Sequence, residues 1–108
     1  MNRETIVALH EVKQAMLQQE TLALRQISIR LDAAQAERDA LIEGMDRAEG
    51  DGSISATMAA TRYRLFKKQA LVRLADKIDR IEAEYGTAEE TLTMTFAEVR
   101  AIERLKDG

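Results

Sequence analysis

A chain of 108 residues is long enough for one domain of ordinary size, and it has no cysteine, proline or tryptophan and only two Tyr and two Phe. The missing cysteines exclude a disulfide framework and a thiolate metal site or nucleophile, while the shortage of aromatics argues against a globular core built on large buried rings. With 45% apolar and 32% charged residues at a net charge of −3, the chain is too apolar and too balanced for disorder; it has the composition of long helices that meet along a narrow seam.

The opening stretch, Met1 to His10, has too short an apolar run for a signal peptide, and no later stretch is long enough to span a bilayer. The expectation is a cytoplasmic protein with no membrane insertion. The first helix is predicted over 3–48. Leu17, Leu24, Leu31, Arg38 and Met45 recur every seven residues, with Ile27, Ala34, Leu41 and Ala48 three positions after members of that series. These are the a and d positions of a heptad. Nearer the start, Ile6, Leu9, Val12 and Met16 follow a shifted phase, which predicts a stutter in the supercoil.

The one strong punctuation is Glu49-Gly50-Asp51-Gly52-Ser53, where glycines supply positive φ and Ser53 or Ser55 can cap the next helix. A turn is predicted at 49–53 and a second helix over 54–106, each helix about 70 Å long or more at 1.5 Å rise per residue. In the second helix Leu71, Ile78, Tyr85, Leu92 and Val99 form one seven-residue series, and Leu74, Ile81, Ala88, Thr95 and Ile102 form its partner. Gly86 interrupts neither series and reads as a tolerated surface glycine, with a bend or a close approach as the alternative.

These elements predict an all-α fold, a long antiparallel two-helix coiled-coil hairpin forming a single domain over 1–108. If the chain folds back at Asp51, Leu31 faces Leu71, Leu24 faces Ile78, Leu17 faces Tyr85 and His10 faces Leu92. In that register Arg38 faces Arg64 near Lys67, and like charges weaken the seam near the turn. Val99, Ile102 and Leu105 outrun the first helix and are left partly unpaired. A two-helix hairpin buries one stripe per helix, so it gains stability from a partner or from self-association.

No catalytic constellation can be assembled. His10 is the sole histidine, Glu11 beside it points elsewhere, and residue 7 is Val, so no Glu-x-x-His pair exists. Gly50-Asp51-Gly52 has no lysine after it and no strand before it, so it is not a phosphate loop. A non-enzyme without cofactor or metal is expected. Two stretches stand out. From Arg62 to Arg80 seven basic residues meet only Asp76 and Asp79, a pattern read first as a solvated face, next as a protein-docking patch and last as a nucleic-acid contact. Within it Tyr63 and Phe66 share a face by spacing, and Phe66, outside the a/d seam, is the best candidate for an exposed anchor. The second stretch is the apolar spacing Val99, Ile102, Leu105, read either as a frayed terminus or as a docking tip.

Tyr63-x-x-Phe66 opening the second helix, then Leu74-x-x-x-Ile78, and the closing Val99-x-x-Ile102-Glu103-x-Leu105-Lys106 give this hairpin a resemblance to the FliJ-type flagellar export proteins and their injectisome counterparts. The resemblance implies a stalk that enters the central hole of the hexameric type III export ATPase, couples it to the export-gate membrane protein and binds export chaperones. It also implies that Tyr63, Phe66 and neighbouring Ala70 lie on the gate-binding face. The helix termini opposite the turn would enter the ATPase ring, where Arg100, Arg104 and Lys106 meet acidic loops. Such a protein is cytoplasmic, held at the inner membrane face through its partners. The rival readings are a structural adaptor, a homo-oligomer forming a four-helix bundle through unpaired apolar edges, and a nucleic-acid-associated coiled coil using residues 62–80.

Overall fold

The computed structural model describes residues 2–46 and 53–108. Two α-helices account for them, α1 over Arg3–Asp46 and α2 over Ile54–Asp107, and together they form an all-α helical hairpin. The predicted turn at 49–53 lies, apart from Ser53, outside the described residues, as does Ala48 at the end of the predicted first helix.

Each helix begins at a side-chain cap. Asn2 Oδ1 accepts the Thr5 N–H at 2.8 Å, and Ser53 Oγ accepts the Ala56 N–H at 3.0 Å, each satisfying an otherwise unpaired amide of the first turn. At the far end of α2, Arg104 and Lys106 place positive charge against the negative end of the helix dipole. Threonine is a poor helix former, yet Thr57, Thr61, Thr87, Thr91 and Thr93 each donate a hydroxyl hydrogen bond to the carbonyl four residues back, which satisfies the polar group within the helix.

The chain divides into two compact units. One joins Met1–Ser28 with Ala83–Gly108 (the terminal unit), and the other is Ile29–Glu82 (the central unit). In the central unit the buried core is Ala34 from α1 and Leu74, Ile78 and Ile81 from α2, flanked by half-buried Leu31, Leu41, Met45 and Leu71. Arg38 is also half-buried and turns its guanidinium to Asp39, Nε donating to Oδ1 at 3.2 Å. Gly44 lies beside Tyr63, where the expected register puts Met58: a β-carbon at Gly44 would stand 3.6 Å from the tyrosine hydroxyl.

In the terminal unit Thr95, Val99 and Ile102 are buried, and Tyr85, Ala88 and Leu92 are half-buried behind them. All ten members of the two α2 series therefore lie on the seam. On α1 the shifted phase expected near the start holds for Ile6 and Leu9, both half-buried, but not beyond them. Val12 and Met16 are exposed, and the seam instead runs in one unbroken heptad through Ile6, His10, Lys13, Leu17, Glu20, Leu24 and Ile27. Polar residues at seam positions imitate a gap, and the apolar residues beside them imitate a second phase.

The register of this unit also differs from the expected one. His10 meets Glu103 rather than Leu92, and Leu17 shares a hollow with Leu92, Thr93 and Phe96 rather than facing Tyr85. A heptad seam keeps its apolar stripe facing inward when one helix slides by whole turns, so periodicity alone does not select a register. The polar seam residues do select one. The expected register would place Glu20 against Glu82, a like-charge contact; the observed one gives Glu20 the hydroxyl of Thr95 and Lys13 the carboxylate of Glu98. It also carries Val99 and Ile102 onto α1, so these two are not unpaired.

Gly86 lies within the continuous α2, and nothing lies within 4 Å of where its β-carbon would stand, so it marks no close approach within the chain.

Candidate functional site

The sequence singles out two places, and each falls within one unit. In the central unit Phe66 points away from the seam and is 63% exposed. Tyr63 brings its hydroxyl beside Gly44 of α1 while keeping part of its ring in solvent. The Lys67 ammonium lies between them, 5.2 Å from the Tyr63 centroid and 5.9 Å from that of Phe66. A cation over two exposed rings holds them by about 0.5–1 kcal/mol each. Ala70 is half-buried on the seam side. The patch that solvent meets is therefore Phe66 with the edge of Tyr63, bounded by the exposed bases Arg62 and Lys68.

In the terminal unit the docking-tip reading is corrected in part. Val99 and Ile102 retain only 2% and 6% of their surface and pack against α1, so neither is available to a partner. What remains outward is Leu105, 56% exposed, together with Arg100, Arg104 and Lys106. Arg100 stacks its guanidinium 5.1 Å from the Phe96 centroid, which fixes the direction of its charge.

The terminal unit also holds a set of cross-helix polar contacts that reading the sequence missed. Lys13 Nζ pairs with Glu98 at 2.5 Å, His10 Nε2 stands 3.6 Å from Glu103, and Gln14 contacts the same imidazole nitrogen at 3.4 Å. Deeper in, the Thr95 hydroxyl donates to Glu20 Oε1 at 2.9 Å, while Glu20 Oε2 is buried with no hydrogen-bond partner among the described residues. The signal was present, because positions 10, 13 and 20 fall in phase with Leu17 and Leu24. It was masked by the assumption that seam positions are apolar.

Chemically this ladder is a specificity device. Polar seam groups cost stability if displaced from their partners, and so favour one alignment over its slid competitors. Among the described residues no group of three His, Cys, Asp or Glu side chains is placed to hold a metal ion, and no helix is long and apolar enough to cross a membrane. Comparison with protein-family models, curated proteins and solved structures returns no match for this chain.

Proposed function

We propose that this hairpin is a non-catalytic stalk or adaptor of a type III, flagellar-type export apparatus, working in the cytoplasm against the inner face of the membrane. Its partners are the hexameric export ATPase, the export-gate membrane protein and export chaperones. The observation that carries the reading is Phe66: a large aromatic ring left in solvent on a chain with only four aromatics, braced by Lys67 and flanked by bases, is an anchor for a partner rather than a core residue. The resemblance of Tyr63-x-x-Phe66 and of the closing Ile102-Glu103-x-Leu105-Lys106 to FliJ-type proteins supports the choice of partner. Phe66 and Tyr63 contact the gate, and Arg100, Arg104, Leu105 and Lys106 face acidic loops of the ATPase ring. Val99 and Ile102 serve by holding the two helix termini together.

Capture of the export gate's cytoplasmic domain by immobilised chain tests this assignment. Phe66→Ala should leave the thermal midpoint within a degree or two of wild type, as expected for an exposed position, and weaken capture on the order of tenfold or more, the loss of about 1.4 kcal/mol or more. Undiminished capture by the variant would remove Phe66 from the gate-binding face.

A further inference from the structure

Charge along α2 is segregated in a way that neither the coiled-coil seam nor the export reading requires. From Ser53 to Ala75 there is no acidic residue and there are five basic ones, whereas from Ile81 to Val99 there are five acidic residues and no basic one. The basic stretch also carries outward apolar side chains. Met58, Leu65 and Val72 recur every seven residues away from the seam, Phe66 lies beside Leu65, and all four are exposed, as is Ile54 at the helix start. Exposed Arg62, Lys68 and Arg73 border this stripe. In the acidic stretch Glu82, Glu89 and Glu90 are exposed, and Glu89, Glu90, Thr93 and Met94 line a shallow hollow whose methionine is 66% exposed. Thr93 and Met94 hold the same heptad positions as Leu65 and Phe66, four repeats later.

We propose that the outward basic face of α2 binds a second copy of this chain, with Leu65 and Phe66 seated against Thr93 and Met94 of that copy and Arg62 and Lys68 set against its Glu89 and Glu90. An apolar contact ringed by opposite charges is the composition of a protein interface, with the apolar centre supplying affinity and the charges supplying register. A second copy is favoured over an anionic bilayer or a nucleic acid by the balance within the chain. The exposed bases Arg62 and Lys68 on one stretch are matched by the exposed Glu89 and Glu90 on the other, so the two faces attract one another between copies, while a polyanion attracted to the first stretch is repelled by the second and by the net charge of −3. The inference uses no export component, but it shares Phe66 with the gate-binding face proposed above, so a second copy and the gate would compete for that ring.

Light scattering of the full chain across a concentration series tests it. At about 0.05 M salt the wild type should exceed the mass of one chain, and its apparent Kd should weaken about tenfold or more at 0.5 M, where the screening length falls to a few ångströms. The pair Arg62→Glu/Lys68→Glu and the pair Glu89→Lys/Glu90→Lys should each be monomeric alone and should associate when mixed, because the reversed faces are complementary. All four positions are exposed, and circular dichroism confirms that each variant keeps its helices; should a variant not fold, the salt dependence of the wild type decides alone. A wild type that stays monomeric at low salt, association indifferent to salt, or reversed variants that do not recombine would each overturn the proposal. A monomer that instead sediments with vesicles of anionic phospholipid would overturn it in favour of a membrane surface.

Discussion

Truncating Ile102 separates the observed register from the one that the sequence alone invites. In the observed register Ile102 is 6% exposed and packs on α1, while Leu105, one turn away on the same helix, is 56% exposed. Ile102→Ala removes three buried carbons, worth about 2.4 kcal/mol at about 0.8 kcal/mol each. A cavity adds to this, but a two-helix seam is open on both flanks and its neighbours can close in, so the addition is small. Alanine's better helix propensity returns about 0.4 kcal/mol. The net cost should be about 2–3 kcal/mol, a fall in the thermal midpoint on the order of 10 °C for a chain of this size. Urea unfolding followed by helix ellipticity measures it, with Leu105→Ala as the internal reference, expected within about 0.5 kcal/mol of wild type. If Ile102→Ala cost no more than Leu105→Ala, α2 would end beyond its partner and the register described here would be wrong.

Thr95→Val should destabilise by about 1–3 kcal/mol although it is isosteric, because it strips Glu20 of its one donor among the described residues and leaves both carboxylate oxygens without a partner there. The double change Glu20→Leu/Thr95→Val should recover that loss or exceed it, since apolar side chains replace both partners; equal unfolding midpoints for wild type and Thr95→Val would show that the hydrogen bond contributes nothing. Gly86→Ala should stabilise by roughly 0.5–1 kcal/mol, the helix-propensity difference, because the added methyl enters open space. A lower midpoint for Gly86→Ala would mean that something approaches that face closely in solution.

Much of the fold was legible because α2 states its pattern plainly. Residues at alternating three- and four-residue steps from Leu71 to Ile102, mostly Leu, Ile and Val with Tyr85, Ala88 and Thr95 between them, leave one stripe to bury, and all ten are on it. On α1 the same logic failed between Ile6 and Met16, since burial there follows phase rather than polarity. His10 and Lys13 occupy the seam because Glu103 and Glu98 meet them, while Val12 and Met16 stay in water. Register was illegible for a related reason. Sliding two heptad helices by whole turns changes few apolar contacts, and the choice rests on Glu20 with Thr95 and on Lys13 with Glu98, pairs that become visible only once both helices are in place. The exposure of Phe66 follows from its place outside the heptad, whereas the lean of Tyr63 toward Gly44 depends on how α1 and α2 align.

The functional account turns on whether the exposed bases at the end of α2 are held by the export ATPase. Mixing the purified chain with the hexameric ATPase and determining the mass of the complex by light scattering measures this directly. The account predicts a complex that is lost when Arg100, Arg104 and Lys106 are changed together to Glu, with the hairpin still folded, since all three are exposed. This triple change is preferable to deleting residues 99–108, which would also remove the buried Val99 and Ile102. No complex between the ATPase and the wild-type chain, or one indifferent to reversal of those three charges, would contradict the assignment.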